Sequence, residues 1–376
     1  MTLGQKEIEW LRHPDAERFV QEHLDEFMAT VTSVRAFAAD LLARTGSRLF
    51  DWIDHLILAD GDRPRGQLAD LGFELEDVPA EPGDRVYHHP GTVLPRIVLR
   101  SETDATPGSP VGAAIRVEDI SFFLMMHRLT LPIEGTLLSP YRRAKVWQTD
   151  GRDFLVVERR GDAGFIPTEM PPDYPQRYLH ALERWVTRPV LATERAGMDQ
   201  TLKLAQSLVS DLGTDTAGWI AFAAERVYWQ RRNRAAQVQK ARQDSLGLGW
   251  ANHDHHTFRS SRELFPVLIQ ILETFGFQPR ERFFAGAEAG WGAQVMEQPV
   301  CRLVVFADVD LLPDEVAGDF AHHPLSPRKQ LGTVGLWCAL HGESMLGAGL
   351  HHLAGRFDFD TATQQLAERG IKMMRP

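Results

Sequence analysis

The chain has 376 residues, 43% hydrophobic and 24% charged, enough for two domains or for one assembled from repeated modules. Lys and Arg number 41 against 51 Asp and Glu, a formal net charge of −10, so the basic excess that nucleic-acid backbones require is missing and that partner class is excluded. Two cysteines, Cys301 and Cys338, exclude a disulfide scaffold; the charged N-terminus does not suit a signal peptide, no apolar run approaches a membrane span, and the expected location is cytoplasmic.

Residues 1–48 read as a helical segment, with Phe19, Val20, His23, Leu24, Phe27, Met28 and Val31 at three- and four-residue spacing. A first module is expected over 49–165. It opens with the short apolar run 52–58, which suits a buried strand, followed by a turn at Gly61 to Pro64 and a short helix ending at Gly72. Strands are expected around 74–78, 93–100 and 111–118, with further strand material at 144–147 and 154–157 and a polar loop over 101–110. Residues 166–247 form a helical insertion, whose stripe of Trp219, Ile220, Phe222 and Ala223 gives way to a basic tail, Arg231, Arg232, Arg234, Lys240 and Arg242, read as a solvated face.

A second module is expected over 248–312. Its first strand covers 251–258, Ser260 with Glu263 makes a capping box, and Leu264, Val267, Leu268, Ile271, Leu272 and Phe275 mark a strong helix. Strands follow at 281–285, 292–297 and 302–308. Residues 313–376 form a C-terminal extension.

The two modules carry an internal repeat. Leu68-Ala69-Asp70-Leu71-Gly72-Phe73 parallels Leu272-Glu273-Thr274-Phe275-Gly276-Phe277, and each hexapeptide follows a histidine-bearing strand, His55 in one and His255 in the other. The glycine closes the helix in both. A third fragment, with His351 and His352 ahead of Leu366 to Gly370, has the same form and marks a partial third module. The fold expected is therefore α+β: paired βαβββ modules forming a half-open barrel, with a helical preface and a helical insertion.

Two such modules bring their first strands together, and a metal can bind between them. Glu297, in the otherwise apolar strand around Val295 and Met296, supplies a carboxylate that is costly to bury unless paired or metal-bound. Two imidazoles and one carboxylate with open positions are the ligand set of non-haem Fe(II) oxygenases. Strand alternation puts His253, His255 and Thr257 on one face and Asp254, His256 and Phe258 on the other, so His255 and His256 are both candidates. Taken singly, a histidine in an apolar strand such as His55 is more often a packed core residue than a ligand, His255 in its cluster less so, and Glu297 reads as well as an edge charge; His351 and His352 are a rival source of a ligand, though a packed third strand is the favoured reading for them.

These residues resemble the vicinal oxygen chelate superfamily. More narrowly, the chain resembles the 2-oxoadipate dioxygenase/decarboxylase family, the hydroxyglutarate synthases, themselves similar to 4-hydroxyphenylpyruvate dioxygenase. Asp254-His255-His256-Thr257-Phe258-Arg259 resembles that family's His-Leu-Thr-Pro-Arg stretch, and Val295-Met296-Glu297-Gln298 its Glu-Ile-Glu-Gln stretch. The resemblance spans roughly 50–310 and implies His55, His255 and Glu297 as ligands of Fe(II), with Mn, Co or Zn as substitutes and O2 as co-substrate. It implies a 2-oxo acid that is decarboxylated and hydroxylated, and Arg259 as a substrate-binding residue. Ala59 stands where the family carries a substrate-holding arginine, which leaves Arg96, Arg100 and Arg116 as candidates for a carboxylate, each also able to serve in a structural salt bridge. Phe258, Phe283, Phe284 and Trp291 are candidate pocket walls. The alternatives are a divalent-metal lyase or isomerase of the same superfamily, against which a lone second carboxylate, Glu288, counts mildly, and a metal-free small-molecule-binding protein. The helical segments suit a cover over the site or a homodimer contact.

Overall fold

The computed structural model describes residues 12–90, 92–251, 255–346, 359–368 and 370, and of His255 the backbone alone. Helices α1 (Pro14–Thr30) and α2 (Thr32–Thr45) open the chain. Pro14 occupies the first turn, where no amide donor is needed, and Gly46 ends α2 in the left-handed region, its amide donating to Leu42 O. Their apolar stripes, including Phe19, Leu24, Phe27, Phe37 and Leu41, are buried in one core with the outer face of a seven-stranded sheet.

That sheet begins with β1 (Ile53–Ala59), α3 (Asp62–Asp70), β2 (Glu74–Glu76), β3 (Arg85–His88) and β4 (Arg96–Arg100), which make the first βαβββ unit. It continues through β5 (Pro110–Arg116), α4 (Ile120–Met126), β6 (Tyr141–Thr149) and β7 (Arg152–Arg159), in the order β2-β3-β4-β1-β5-β7-β6. The sequence reading missed β3, too short to show a two-residue period, and α4, whose cap is the Asp119 carboxylate accepting from Phe122 N at 2.8 Å. The 110–116 strand, expected inside the repeat, instead pairs antiparallel with β1 and widens the sheet beyond it.

The insertion forms α5 (Tyr174–Val186), α6 (Glu194–Leu212), α7 (Thr214–Arg232) and α8 (Arg234–Asp244). The second unit follows as β8 (His255–Arg259), α9 (Phe265–Thr274), β9 (Gln278–Phe284), β10 (Trp291–Gln298) and β11 (Leu303–Asp310), in the order β8-β11-β10-β9. Its outer face shares a core with α9 and the insertion through residues such as Phe222, Ile220, Leu272 and Val305. In both units the first strand runs parallel to the last, so the hexapeptide repeat reports a structural one. Gly72 and Gly276 end the two helices at φ 84° and 80°; a Cβ on Gly276 would lie 2.7 Å from Thr214 Cγ2, so both backbone and space require glycine there.

The expected capping box does not form. The Ser260 hydroxyl donates to Glu343 Oε2 at 2.6 Å, and Glu343 Oε1 accepts from Ser261 N at 2.9 Å, so a tertiary partner replaces the local one. Within the C-terminal segment, α10 (Thr333–His341) packs against the second sheet, and α11 (Phe359–Ala367) falls where the third copy's helix was expected. His351 and His352 lie outside the described residues. Among those residues no helix is long and apolar enough to cross a membrane.

Candidate active site

Strand register places the chemistry-bearing residues in two equivalent rows. In the first unit His55 lies opposite Arg96, and Glu74 lies opposite His88, which follows the Tyr87–Ile97 pair on β3 and so neighbours Arg96. In the second, His255 lies opposite Val304, Val304 opposite Glu297, and Glu297 opposite Gln278. The rows therefore match as His55 with His255, Arg96 with Val304, and His88 with Glu297. His255 and Glu297 sit two strand spacings apart, about 10 Å between backbones, with Val304 between them.

The same register separates the adjacent histidines. His256 packs on Phe222 with ring centroids 5.1 Å apart, and Phe258 meets the same ring at 5.7 Å, so both belong to the helix side of the sheet. Phe258 is thus core and not a pocket wall, while the backbone position of His255 belongs to the opposite, concave face with Thr257 and Arg259. Phe284 also packs against the helix-side core, whereas Phe283 and Trp291 contact each other at 5.6 Å.

On β1 a bulge between Ile53 and His55 brings Asp54 next to its neighbour's ring. Asp54 is 1% exposed and His55 3% exposed, and Asp54 Oδ2 accepts from His55 Nδ1 at 2.8 Å. Asp54 also takes a two-point contact from Arg159, Nε at 2.7 Å and Nη2 at 2.8 Å, and a longer one from Arg116 Nη2 at 3.3 Å. Burial alone would push the Asp54 carboxyl up, yet Arg159, His55 and Arg116 hold it well below the usual carboxylate range. An ionised Asp54 can only accept, so His55 carries its proton on Nδ1 and presents Nε2 as a lone pair. Burial lowers the His55 pKa despite this hydrogen bond, favouring the neutral imidazole that a metal needs. Phe165, on the segment after β7, stands edge-on to the His55 ring at 4.8 Å and also lies under the Arg159 guanidinium at 4.7 Å, covering this part of the concave face.

The second unit is covered differently. Asp310, at the end of β11, accepts from the amides of Gly332, Val334 and Gly335 at 2.8 to 2.9 Å, which fastens the start of α10 over the sheet. Arg259 stacks on Trp337 of that helix at 4.5 Å and faces Asp308 at 3.8 Å. Asp308 is buried with only this loose partner among the described residues, and burial pushes its carboxyl up to about 7.

Between the units lies a cleft of about 520 Å³, lined from the first by Glu76, His88 and Arg96 and from the second by Arg280, Glu297 and Arg302. Arg96 is held by Glu76 through Nε at 2.5 Å and Nη2 at 2.7 Å. Glu297 is partly exposed and faces Arg280 at 3.5 Å. Among the sequence candidates, the cleft thus gathers Glu297 and Arg96. Arg100 pairs with Asp84 at 3.6 Å and is absent from the cleft lining, Arg116 serves the Asp54 cluster, and His55 lies behind the cleft in the same row as Arg96. The side chain of His255 lies outside the described set, and among the described residues no three His, Cys, Asp or Glu side chains form a metal-holding group. Asp54, Phe165, Arg302 and Asp308 escaped the sequence reading; an aspartate directly before a histidine in an apolar run was the available signal for Asp54.

No family model and no curated protein matches the chain. Solved structures that resemble it include a glyoxalase/bleomycin resistance protein/dioxygenase superfamily member from Vibrio splendidus 12B01, at 19% identity over 28% of this chain and 95% of that one, with a TM-score of 0.20. A mutant of glyoxalase I from Zea mays matches at 8% identity over 69% of this chain and 68% of that one, TM-score 0.22. A mutant of 4-hydroxymandelate synthase from Streptomyces coelicolor matches at 11% over 78% and 68%, TM-score 0.20. The paired βαβββ layout itself is defined by the strand order and register of this chain.

Proposed function

We propose that the protein is a divalent-metal enzyme of the vicinal oxygen chelate type, with His55, His255 and Glu297 as ligands and an anionic 2-oxo acid as substrate. The observation that carries this reading is the Asp54–His55 pair. A carboxylate on Nδ1 fixes the ring's tautomer and orientation and leaves Nε2 as the donor, the arrangement that buried metal-binding histidines use. The matching rows support it, because they set His255 and Glu297 on equivalent strands of the second unit.

In this reading the metal is Fe(II), with Mn, Co or Zn able to occupy the same donors, and when bound it supplies O2 chemistry that decarboxylates and hydroxylates the 2-oxo acid. The chain supplies the surroundings. Arg96 and Arg259 hold carboxylate oxygens, Phe165 and α10 keep water from the two concave faces, and Asp54 keeps the His55 proton on Nδ1. A second reading, a lyase or isomerase that needs no O2, is favoured by Asp308, a buried carboxyl on the concave face whose pKa near 7 suits proton transfer.

The test is metal content and O2 uptake of the anaerobically Fe(II)-loaded protein against a panel of 2-oxo acids, beside Asp54→Asn and Glu297→Gln. Stoichiometric metal, substrate-dependent uptake with CO2 release and a roughly 10- to 100-fold weaker metal affinity in Asp54→Asn are expected. Stoichiometric metal without uptake on any acid, together with solvent-proton exchange into substrate, selects the second reading. A wild type that binds no metal defeats both.

A further inference from the structure

We infer that the cleft between the two modules binds a small oxyanion, a carboxylate or a phosphate, with Arg302 as its anchor and Arg96 and His88 beside it. Arg302 lies in the tight link between β10 and β11 and reaches across to the first module. Its Nη2 donates to Leu94 O at 2.7 Å and Val93 O at 2.9 Å, and Nη1 to Asp54 O at 3.5 Å. These are neutral acceptors; no carboxylate among the described residues pairs with this guanidinium. Arg116 and Arg159 are held by Asp54 behind the cleft, and of the side chains that line it Arg96, Arg280 and Arg302 stand against Glu76 and Glu297, leaving one positive charge in excess. Arg280, in the same lining, is shared between Glu281 and Glu297.

Three further observations point the same way. Arg302 has φ 57°, in the left-handed region where glycine or asparagine is the unstrained choice, so a long cation is kept there at a conformational cost. Arg96, 6% exposed, lines the cleft, and among the described residues its Nη1 has no hydrogen-bond partner; the Nδ1 of His88, in the same lining, has none among them either. Buried polar nitrogens are normally satisfied, and an oxyanion supplies acceptors for both a guanidinium edge and an imidazole N–H. Burial and repulsion from Arg96 and Arg116 push the Arg302 pKa down to about 9, a cost that a seated anion would reverse.

The inference deepens the proposed function by naming what holds the anionic part of its substrate, and it requires no metal. The experiment is therefore run on the full chain in chelator, so that failure of the metal reading leaves it untouched. Inorganic phosphate and glutarate are titrated by calorimetry and thermal unfolding, against sodium chloride at matched ionic strength. Saturable one-to-one binding of at least one is expected, with affinity at least 10-fold weaker in Arg302→Gln. Glutarate alone assigns a carboxylate ligand, phosphate alone a phosphate ester, and both a general oxyanion site. If Arg302→Gln does not fold, Arg302→Lys keeps the charge, loses the fork and is expected to bind several-fold more weakly. No saturable binding by the wild type to tens of millimolar, equal effects in chloride, or unchanged affinity in the folded Arg302 variant overturns the inference.

Discussion

The two modules share strand order, parallel first and last strands and a glycine-closed helix, yet they treat equivalent positions in opposite ways. The first concentrates charge at depth: Asp54 pairs with Arg159 and Arg116 and orients His55, and an aromatic ring closes over the cluster. The second keeps valine in the middle of its row, leaves Glu297 at the cleft edge and draws its cover from a later helix fastened by Asp310. A duplicated backbone therefore fixes where side chains stand and leaves open which of them pay the desolvation of charge. The first module buries its charge as an arginine–carboxylate cluster around His55, the second buries Asp308 and Asp310 near α10 and leaves Glu297 accessible, and a site between them draws on both.

Breaking the first module's cluster is expected to have the largest effect. Asp54→Ala leaves Arg159 and Arg116 without a counter-charge in a sealed environment, and a loss of about 3 to 5 kcal/mol in urea unfolding is expected. The equivalent insult in the second module, Glu297→Gln, removes a partly exposed pair and is expected to change stability by less than about 1 kcal/mol. Equal losses in the two variants would erase the contrast between the modules. Phe165→Ala comes next. Its ring is 4% exposed and meets His55, Arg159 and Tyr141, so a cost of about 3 kcal/mol is expected, together with faster carbethoxylation of His55 read by mass spectrometry.

The second module's signature is in its pH response. Burial raises the Asp308 pKa to about 7 from its ordinary value, so the folded state holds a proton that the unfolded chain has already released. Between about pH 4 and 7 the native state binds more protons, and this group's contribution to stability falls as pH rises, by at most about 4 kcal/mol. Asp308→Asn is expected to flatten that slope, changing stability little at pH 5, where the native carboxyl is already neutral, and raising it relative to the wild type at pH 8. An unchanged slope would place the titration elsewhere.

Much of this contrast is legible in the sequence. Hydrophobic periodicity and the two glycine-ended hexapeptides disclosed the repeat, because helix closure by a left-handed glycine is a local requirement that the chain must write into its sequence. His55 and Glu297 stood out because a titratable group in an apolar run needs a partner. What could not be read was tertiary. Ser260 and Glu263 match a capping box, but Glu343, 83 positions beyond Ser260, takes the Ser260 hydroxyl. Phe258 and Trp291 look alike in sequence, and only the register sends the first to the helix-side core. Arg302 reads as one charge in a turn; its bonds to Val93, Leu94 and Asp54 join positions more than 200 residues apart.

The smallest expected effect concerns how the second module holds its cover. His322 bridges that segment to the end of α9, Nε2 meeting Glu273 at 2.8 Å and Nδ1 meeting Asp319 at 2.8 Å, on the surface. Both contacts favour the imidazolium, and the hydrogen bond to Glu273, then that to Asp319, raises the His322 pKa. A raised folded-state pKa means that the stabilisation is complete below the unfolded value near 6.5 and fades as pH climbs through the folded one. Because the ring and both carboxylates are over a third exposed, solvent screening keeps the gain within about 0.5 kcal/mol. His322→Gln is expected to lower stability slightly at pH 5.5 and not at pH 8.5, and 0.5 M salt is expected to remove the difference. The same salt is expected to spare the Asp54 cluster, where burial excludes the screening ions. A His322 effect that survived salt would show that this surface bridge is held, like the Asp54 cluster, by desolvated charge.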